Sequence, residues 1–169
     1  REQLEELFGD HIIGEGDISL AARVLELLRA RGATLTTAES CTGGLIASML
    51  TRIPGSSDGF RAGFVTYANA AKTQHLGVPA ALLTDHGAVS APVAAAMAEG
   101  CLRASGADHA LAVSGIAGPE GGTPEKPVGT VFLALASKGH PAVVRRRWFR
   151  GEREWFKTLA SQAALDFLR

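Results

Sequence analysis

Residues 33–53 read ATLTTAESCTGGLIASMLTRI, and the fold turns on how this stretch is divided. Its first part, ATLTTAE, is short and β-branched and predicts a buried strand. From SCTGG onward the pattern turns helical, with Leu45, Ile46, Met49 and Leu50 on one face. Pro54 and the GSSDG that follows break the helix. A strand that passes through a glycine pair into an amphipathic helix is the repeating unit of a sheet covered by helices.

The flanking sequence extends this pattern. Upstream, Leu20, Val24, Leu27 and Leu28 mark a helix that ends at Gly32, with Asp17 or Ser19 as its N-cap. Downstream, RAGFVTYA alternates like a strand, and NAAKTQHLGV starts a helix capped by Asn69. Pro79 to Asp85 predicts a short helix. Ser90 then caps a long alanine-rich helix that carries Pro92 in its first turn. DHALAVSGIAG reads as a second buried strand, and PEGGTPEKPVG as a glycine- and proline-rich loop too long for a plain turn. TVFLALAS and AVVRRRWF are neighbouring strands joined around Lys138 to Pro141, and GEREWFKTLASQAALDFL closes the chain as a helix. The expected fold is an α/β layered sandwich, with a mostly parallel or mixed β-sheet covered by helices.

Composition narrows the function. A chain of 169 residues suggests one domain with a real core, and its 17 basic and 17 acidic side chains cancel. That balance gives no reason to expect direct nucleic-acid binding. The densest basic run, Arg145 to Trp148, reads as a solvated strand edge. No apolar stretch approaches the roughly 20 residues that span a bilayer, so a cytoplasmic protein without a membrane partner is expected. The two cysteines, Cys41 and Cys101, are too few for a disulfide framework, and no Cys/His spacing resembles a zinc site. Neither a metal nor another cofactor is expected. The chain opens REQLEELFGDHIIGEGD, without methionine. This divides it into a leading segment, 1–17, from an upstream region, and a domain over 18–169.

In open α/β sheets ligands collect outside the carboxyl ends of the strands. Three loops have the composition for that place: ESCTGG, TYANAAK and SGIAGPEGGTPEKPVG. In the first, Gly43 and Gly44 admit a ligand close to the backbone, and amides at the helix start could stabilise an oxyanion beside Ser40. Ser40 or Thr42 could equally serve as a simple N-cap. Cys41 competes as nucleophile, although adjacent side chains face different ways and cysteine is among the most buried residue types. A serine needs a base, and none of His11, His75, His86, His109 and His140 stands in a glycine-rich loop. Lys72, one turn after TYAN, and Lys126, in the third loop, offer a partly desolvated amine instead. Tyr67, the only tyrosine, is placed to orient a base or a substrate. In the third loop Gly115, Gly118, Gly121 and Gly122, with Ser114 and Thr123, could cradle phosphate or carboxylate. The residues alone therefore point to an anion and carbonyl site made of three loops.

The runs TTAESCTGG, GSSDGFRAGFVTYANAAK, HGAVSAPVAAAMAEG, SGIAGPEGGTPEKPVGTV and FRGER, taken together, resemble the CinA C-terminal domain family. Its enzymatic members are nicotinamide mononucleotide (NMN) amidohydrolases, called PncC when free-standing. The resemblance covers about Ala33 to Arg153, and LFGDHIIGEGD resembles the segment that precedes this domain in longer CinA proteins. It implies metal-independent hydrolysis of the NMN carboxamide to nicotinic acid mononucleotide and ammonia. It also implies a serine nucleophile with a lysine base, which fall on Ser40 and Lys72, with Tyr67 at the motif tyrosine. Ser57 matches a position that could compete for or assist the catalytic role. Amides near Cys41, Thr42, Gly43 and Gly44 would hold the oxyanion, and Gly118 to Gly122, Ser114 and Arg153 would hold the 5′-phosphate. The family further implies a homodimer or higher homo-oligomer and an upstream domain in the full-length protein. FRGER stands where some members have F-S-G-D-R, so Arg150 replaces a small residue at the pocket rim. Two alternatives remain open: a non-catalytic nucleotide-binding or regulatory domain of a competence/damage-inducible CinA protein, and a cysteine hydrolase using Cys41.

Overall fold

A computed structural model describes residue 9, residues 12–14 and residues 16–169. Most of the expected 1–17 leading segment, including His11, lies outside the described residues. The strands are β1 (Leu35–Glu39), β2 (Phe60–Val65), β3 (His109–Gly115), β4 (Thr130–Ser137) and β5 (His140–Trp148). The α-helices are α1 (Leu20–Ala30), α2 (Leu45–Thr51), α3 (Asn69–Leu76), α4 (Ala80–His86), α5 (Ala91–Ser105) and α6 (Arg153–Leu168). A short 3-10 turn, Ser56–Asp58, precedes β2. The sheet is five-stranded in the order β2-β1-β3-β4-β5. It is mixed: β1 pairs parallel with β2 and β3, whereas β3–β4 and β4–β5 are antiparallel.

Strand alternation sorts the core into two unlike faces. Leu35, Leu111, Val113, Val131 and Leu133 pack against α1, α2 and α6. Ala38, Ala110, Ala112, Ala134 and Ala136 point the other way, with Phe132, toward α5. The alanines on that face let an alanine-rich helix lie close to the sheet, and Ala94, Met97, Ala98 and Cys101 of α5 are all fully buried there. The sequence run ALAVS (110–114) thus encodes both faces, bulky on one side and small on the other.

The structure decides between the two caps offered for α1 and corrects the one expected for α3. Ser19, not Asp17, caps α1, taking the Ala22 N–H at 3.2 Å. Asn69 does not cap α3; Ala68 occupies that position and Asn69 is the first helical residue. Its side chain is thereby released to face the cavity described below. The Arg145–Trp148 run lies on the exposed edge strand β5, with Arg145 over the Phe167 ring at 4.2 Å. Among the described residues no helix is long and apolar enough to cross a membrane.

Because β1, β2 and β3 run parallel, the loops that leave them emerge at one end of the sheet. Packing of α3 on α5 brings the second of these loops into place, and Gly100 permits the approach. A Cβ built at Gly100 would sit 1.9 Å from the Leu76 carbonyl oxygen, which is backbone and cannot rotate away. Gly100→Ala is therefore expected to destabilise the fold by about 2 kcal/mol or more despite alanine's better helix propensity. Chemical denaturation of the two proteins measures the difference. A variant as stable as the parent would mean that α3 is not held against α5 in this way.

Candidate active site

The end of β1 determines the first loop. Alternation places Glu39 on the same face as Leu35 and Thr37, beneath the start of α2, where it is 0% exposed. Among the described residues no cation is paired with its carboxylate. Instead Oε2 accepts hydrogen bonds from the Thr42 hydroxyl (2.8 Å), the Gly44 N–H (3.0 Å) and the Ile46 N–H (3.0 Å). Oε1 accepts the Ala47 N–H at 2.8 Å. A buried carboxylate is tolerable when donors converge on it in this way. The turn itself needs Gly44, whose φ of +97° is poorly accessible to other residues.

These bonds redistribute the roles expected of the loop. The helix-start amides of Gly44, Ile46 and Ala47 are engaged by Glu39, the Gly43 N–H is on the Ser40 carbonyl, and Thr42 spends its hydroxyl on Glu39. Among the described residues the Cys41 and Thr42 amides donate to no oxygen, although both residues are buried. A buried orphan amide is rare and marks a place where a ligand oxygen or a water is welcome.

The cavity beside this turn has a volume of about 210 Å³ and is lined by residues from all three loops. Ser40 and Cys41 come from the first loop, Tyr67, Asn69 and Lys72 from the second, and Ser114, Gly115 and Ala117 from the third. Arg153, from the start of α6, and Ala88 and Val89, from the segment before α5, complete the wall. Ala88, Val89 and Ala117 were not legible as site residues, since small and apolar side chains carry no chemical signal, and Asn69 was read only as a helix cap. Glu39 was also missed, although an acid ending a buried strand just before a helix start was a usable clue.

Lys72 is 1% exposed. Its Nζ donates to the backbone carbonyls of Thr66 at 2.9 Å and Tyr67 at 3.1 Å. Burial holds its pKa below the ordinary lysine value, against a smaller upward pull from the Cys41 side chain. Two N–H bonds serve the two carbonyls, and a neutral amine so held would keep its lone pair available to accept a proton. Lys126, the other lysine considered, instead donates to the His86 carbonyl at 3.0 Å and pins the third loop to α4.

At the rim, Arg153 ties two of the loops together. Its Nη1 donates to the Gly118 carbonyl at 3.0 Å and its Nη2 to the Tyr67 hydroxyl at 2.7 Å. Tyr67 is 59% exposed and keeps its own O–H free to donate. Arg153 retains further N–H donors, so this corner can meet an anionic group. Ser114, by contrast, donates its hydroxyl to the Ala88 carbonyl at 2.7 Å.

Several residues expected at the site do not line the cavity. Thr42, Gly43 and Gly44 contribute to the turn beside it rather than to its wall. Gly118, Gly121 and Gly122 are absent from its wall; Cβ atoms at Gly118 and Gly122 would collide with Val128. Ser57 sits on the 3-10 turn before β2, at the amino end of the parallel strands and thus across the sheet from Ser40. Among the described residues no three His, Cys, Asp or Glu side chains are grouped to hold a metal ion.

Comparison with known proteins places this geometry in context. Residues 17–169 match the family model described as the CinA C-terminal domain. A putative competence-damage inducible protein of Symbiobacterium thermophilum is 53% identical over 175 residues, which cover 99% of this chain and 41% of that protein. A CinA-like protein of Geobacter sulfurreducens is 54% identical over 166 residues, covering 98% and 40%. The chain thus spans about two fifths of the length of the curated relatives it matches. Among solved structures, the competence/damage inducible protein CihA from Agrobacterium tumefaciens superposes with a TM-score of 0.85 at 45% identity, covering 88% of this chain and 91% of that one. A competence-damaged protein (CinA) superfamily protein from Escherichia coli gives 0.83 at 36% identity, covering 95% and 96%.

Burial also decides the state of the Cys41 thiol. Burial pushes the Cys41 thiol up to about 12, opposed chiefly by its own backbone N–H. It is therefore protonated at neutral pH and a poor nucleophile. Cys101, on α5, is likewise pushed up to about 12 by burial. Iodoacetamide at pH 8 should leave both thiols of the native protein largely unlabelled and modify both after denaturation, as read by intact mass. Rapid native alkylation of Cys41 would contradict this burial and revive a cysteine nucleophile.

Proposed function

Because the chain belongs to the CinA C-terminal domain family, we propose that it is a nicotinamide-nucleotide amidohydrolase. Its reaction is hydrolysis of the NMN carboxamide to nicotinic acid mononucleotide and ammonia by Ser40 and Lys72, without a metal. The observation that carries this reading is the buried, carbonyl-solvated Lys72 amine on the wall of the cavity that also holds Ser40.

The Ser40 hydroxyl adds to the carboxamide carbon while Lys72 takes its proton. The developing oxyanion is met by the Cys41 and Thr42 amides. Collapse of the tetrahedral adduct breaks the C–N bond, and the Lys72 ammonium returns the proton to the departing ammonia. Water then attacks the acyl-serine, again with Lys72 as base, and releases the acid. Arg153, steadied by Gly118 and Tyr67, is the natural partner of the 5′-phosphate. Ser57 has no part in this scheme.

The alternative of a non-catalytic nucleotide-binding domain is separated by one assay. NMN is incubated with the protein in the presence of chelator, and ammonia and nicotinic acid mononucleotide are quantified. Ser40→Ala and Lys72→Met should each lower kcat/KM by about 10²-fold or more while remaining folded. Because Lys72 must be neutral to act, activity should rise with pH through its lowered pKa, and this limb should vanish in Lys72→Met. A folded wild-type protein that binds NMN without turnover would be a binding module, and the amidohydrolase reading would fall.

A further inference from the structure

We propose that Glu39 is a positioning residue that builds the oxyanion site by engaging the Thr42 hydroxyl and the Gly44, Ile46 and Ala47 amides, while backbone carbonyls take the Gly43 and Leu45 amides. This rests on the reading of Ser40 as nucleophile. Four donors within eight residues converge on one fully buried carboxylate: the Thr42 hydroxyl and the amides of Gly44, Ile46 and Ala47. A buried carboxylate is more than an N-cap needs, because a serine or threonine satisfies one or two amides without burying a charge. The excess falls on the residue that immediately precedes Ser40.

The consequence is selective. With the Gly43, Gly44, Leu45, Ile46 and Ala47 amides engaged, the Cys41 and Thr42 amides are left without an oxygen acceptor among the described residues. They directly follow Ser40, and Cys41 lines the cavity. Glu39 also fills the start of α2, so a substrate anion cannot settle there. The substrate carbonyl is directed to Cys41 and Thr42, and its phosphate to the Arg153 rim. Glu39 touches neither substrate nor the transferred proton. It acts through the backbone it holds.

Glu39→Gln keeps the side-chain volume and an acceptor for Oε2's donors, but sets an amide N–H against one backbone N–H. The variant should fold. The test compares it with wild type in three readouts: kcat and KM for NMN, exchange of the Gly44, Ile46 and Ala47 amides, and the rate at which a fluorophosphonate probe labels Ser40. Since probe labelling forms a tetrahedral adduct on serine, it reports the nucleophile and oxyanion site whatever the natural substrate. Glu39→Gln should exchange these amides faster, lose at least tenfold in kcat with KM within threefold, and label at least tenfold more slowly. A purely structural role would lower stability yet leave kcat and labelling of the folded protein within twofold, and that result overturns the proposal. If wild type labels at Ser40 but does not turn over NMN, the substrate assignment fails and the labelling ratio alone judges Glu39. If wild-type Ser40 does not label, the proposal falls as well.

Discussion

A carboxylate taken wholly out of water must be surrounded by donors, and the donors around Glu39 all come from the turn and helix that follow it. This constraint ties β1 to α2. It draws the Thr42 hydroxyl inward, fixes the glycine-mediated reversal at Gly44, and leaves Ser40 and Cys41 on the cavity side of the turn. Removing a partner from such a group leaves an uncompensated buried charge, which is among the most destabilising changes a core can suffer. The arrangement therefore resists drift: the turn cannot relax without exposing the carboxylate or abandoning its hydrogen bonds.

The second buried ionisable group, Lys72, is handled differently. Its nitrogen meets two backbone carbonyls rather than a carboxylate. A carboxylate partner would hold the amine charged, whereas carbonyl dipoles alone leave desolvation to dominate and lower its proton affinity. The site thus contains a carboxylate held by amides and an amine whose proton affinity is lowered by burial. Cys41 lies between these influences, and burial decides its state. The same cavity wall suppresses the thiol and prepares the amine.

The rim is built on another principle. Arg153 and Tyr67 are exposed, and their value lies in connection rather than burial. One guanidinium joins the Tyr67 hydroxyl after β2 to the Gly118 carbonyl after β3, from a helix that begins at residue 153. Lys126 and Arg146 hold the rest of the third loop through the His86 and Glu125 carbonyls. The glycines of that loop allow its path. Of them, Gly115 lines the cavity and Gly118, Gly121 and Gly122 do not.

Much of this was written in the sequence. Alternation in ATLTTAE and ALAVS, the apolar faces of the helices, and the glycine and proline punctuation determined the elements, the α/β layering and the three loops, because these depend on period and local backbone preference. The parallel order of β1, β2 and β3 then made a shared loop end expected. Ser40, Lys72, Tyr67 and Arg153 could be singled out because their side chains carry chemistry. What local sequence could not decide is which groups are already spent. That Glu39 consumes the α2 amides, that Thr42 and Ser114 give their hydroxyls to the protein itself, that Gly118, Gly121 and Gly122 do not line the cavity, and that Ser57 lies across the sheet all depend on residues brought together by packing. Hydrogen-bond capacity belongs to a residue, but its availability belongs to the fold, because only tertiary contacts determine which donors remain for a ligand.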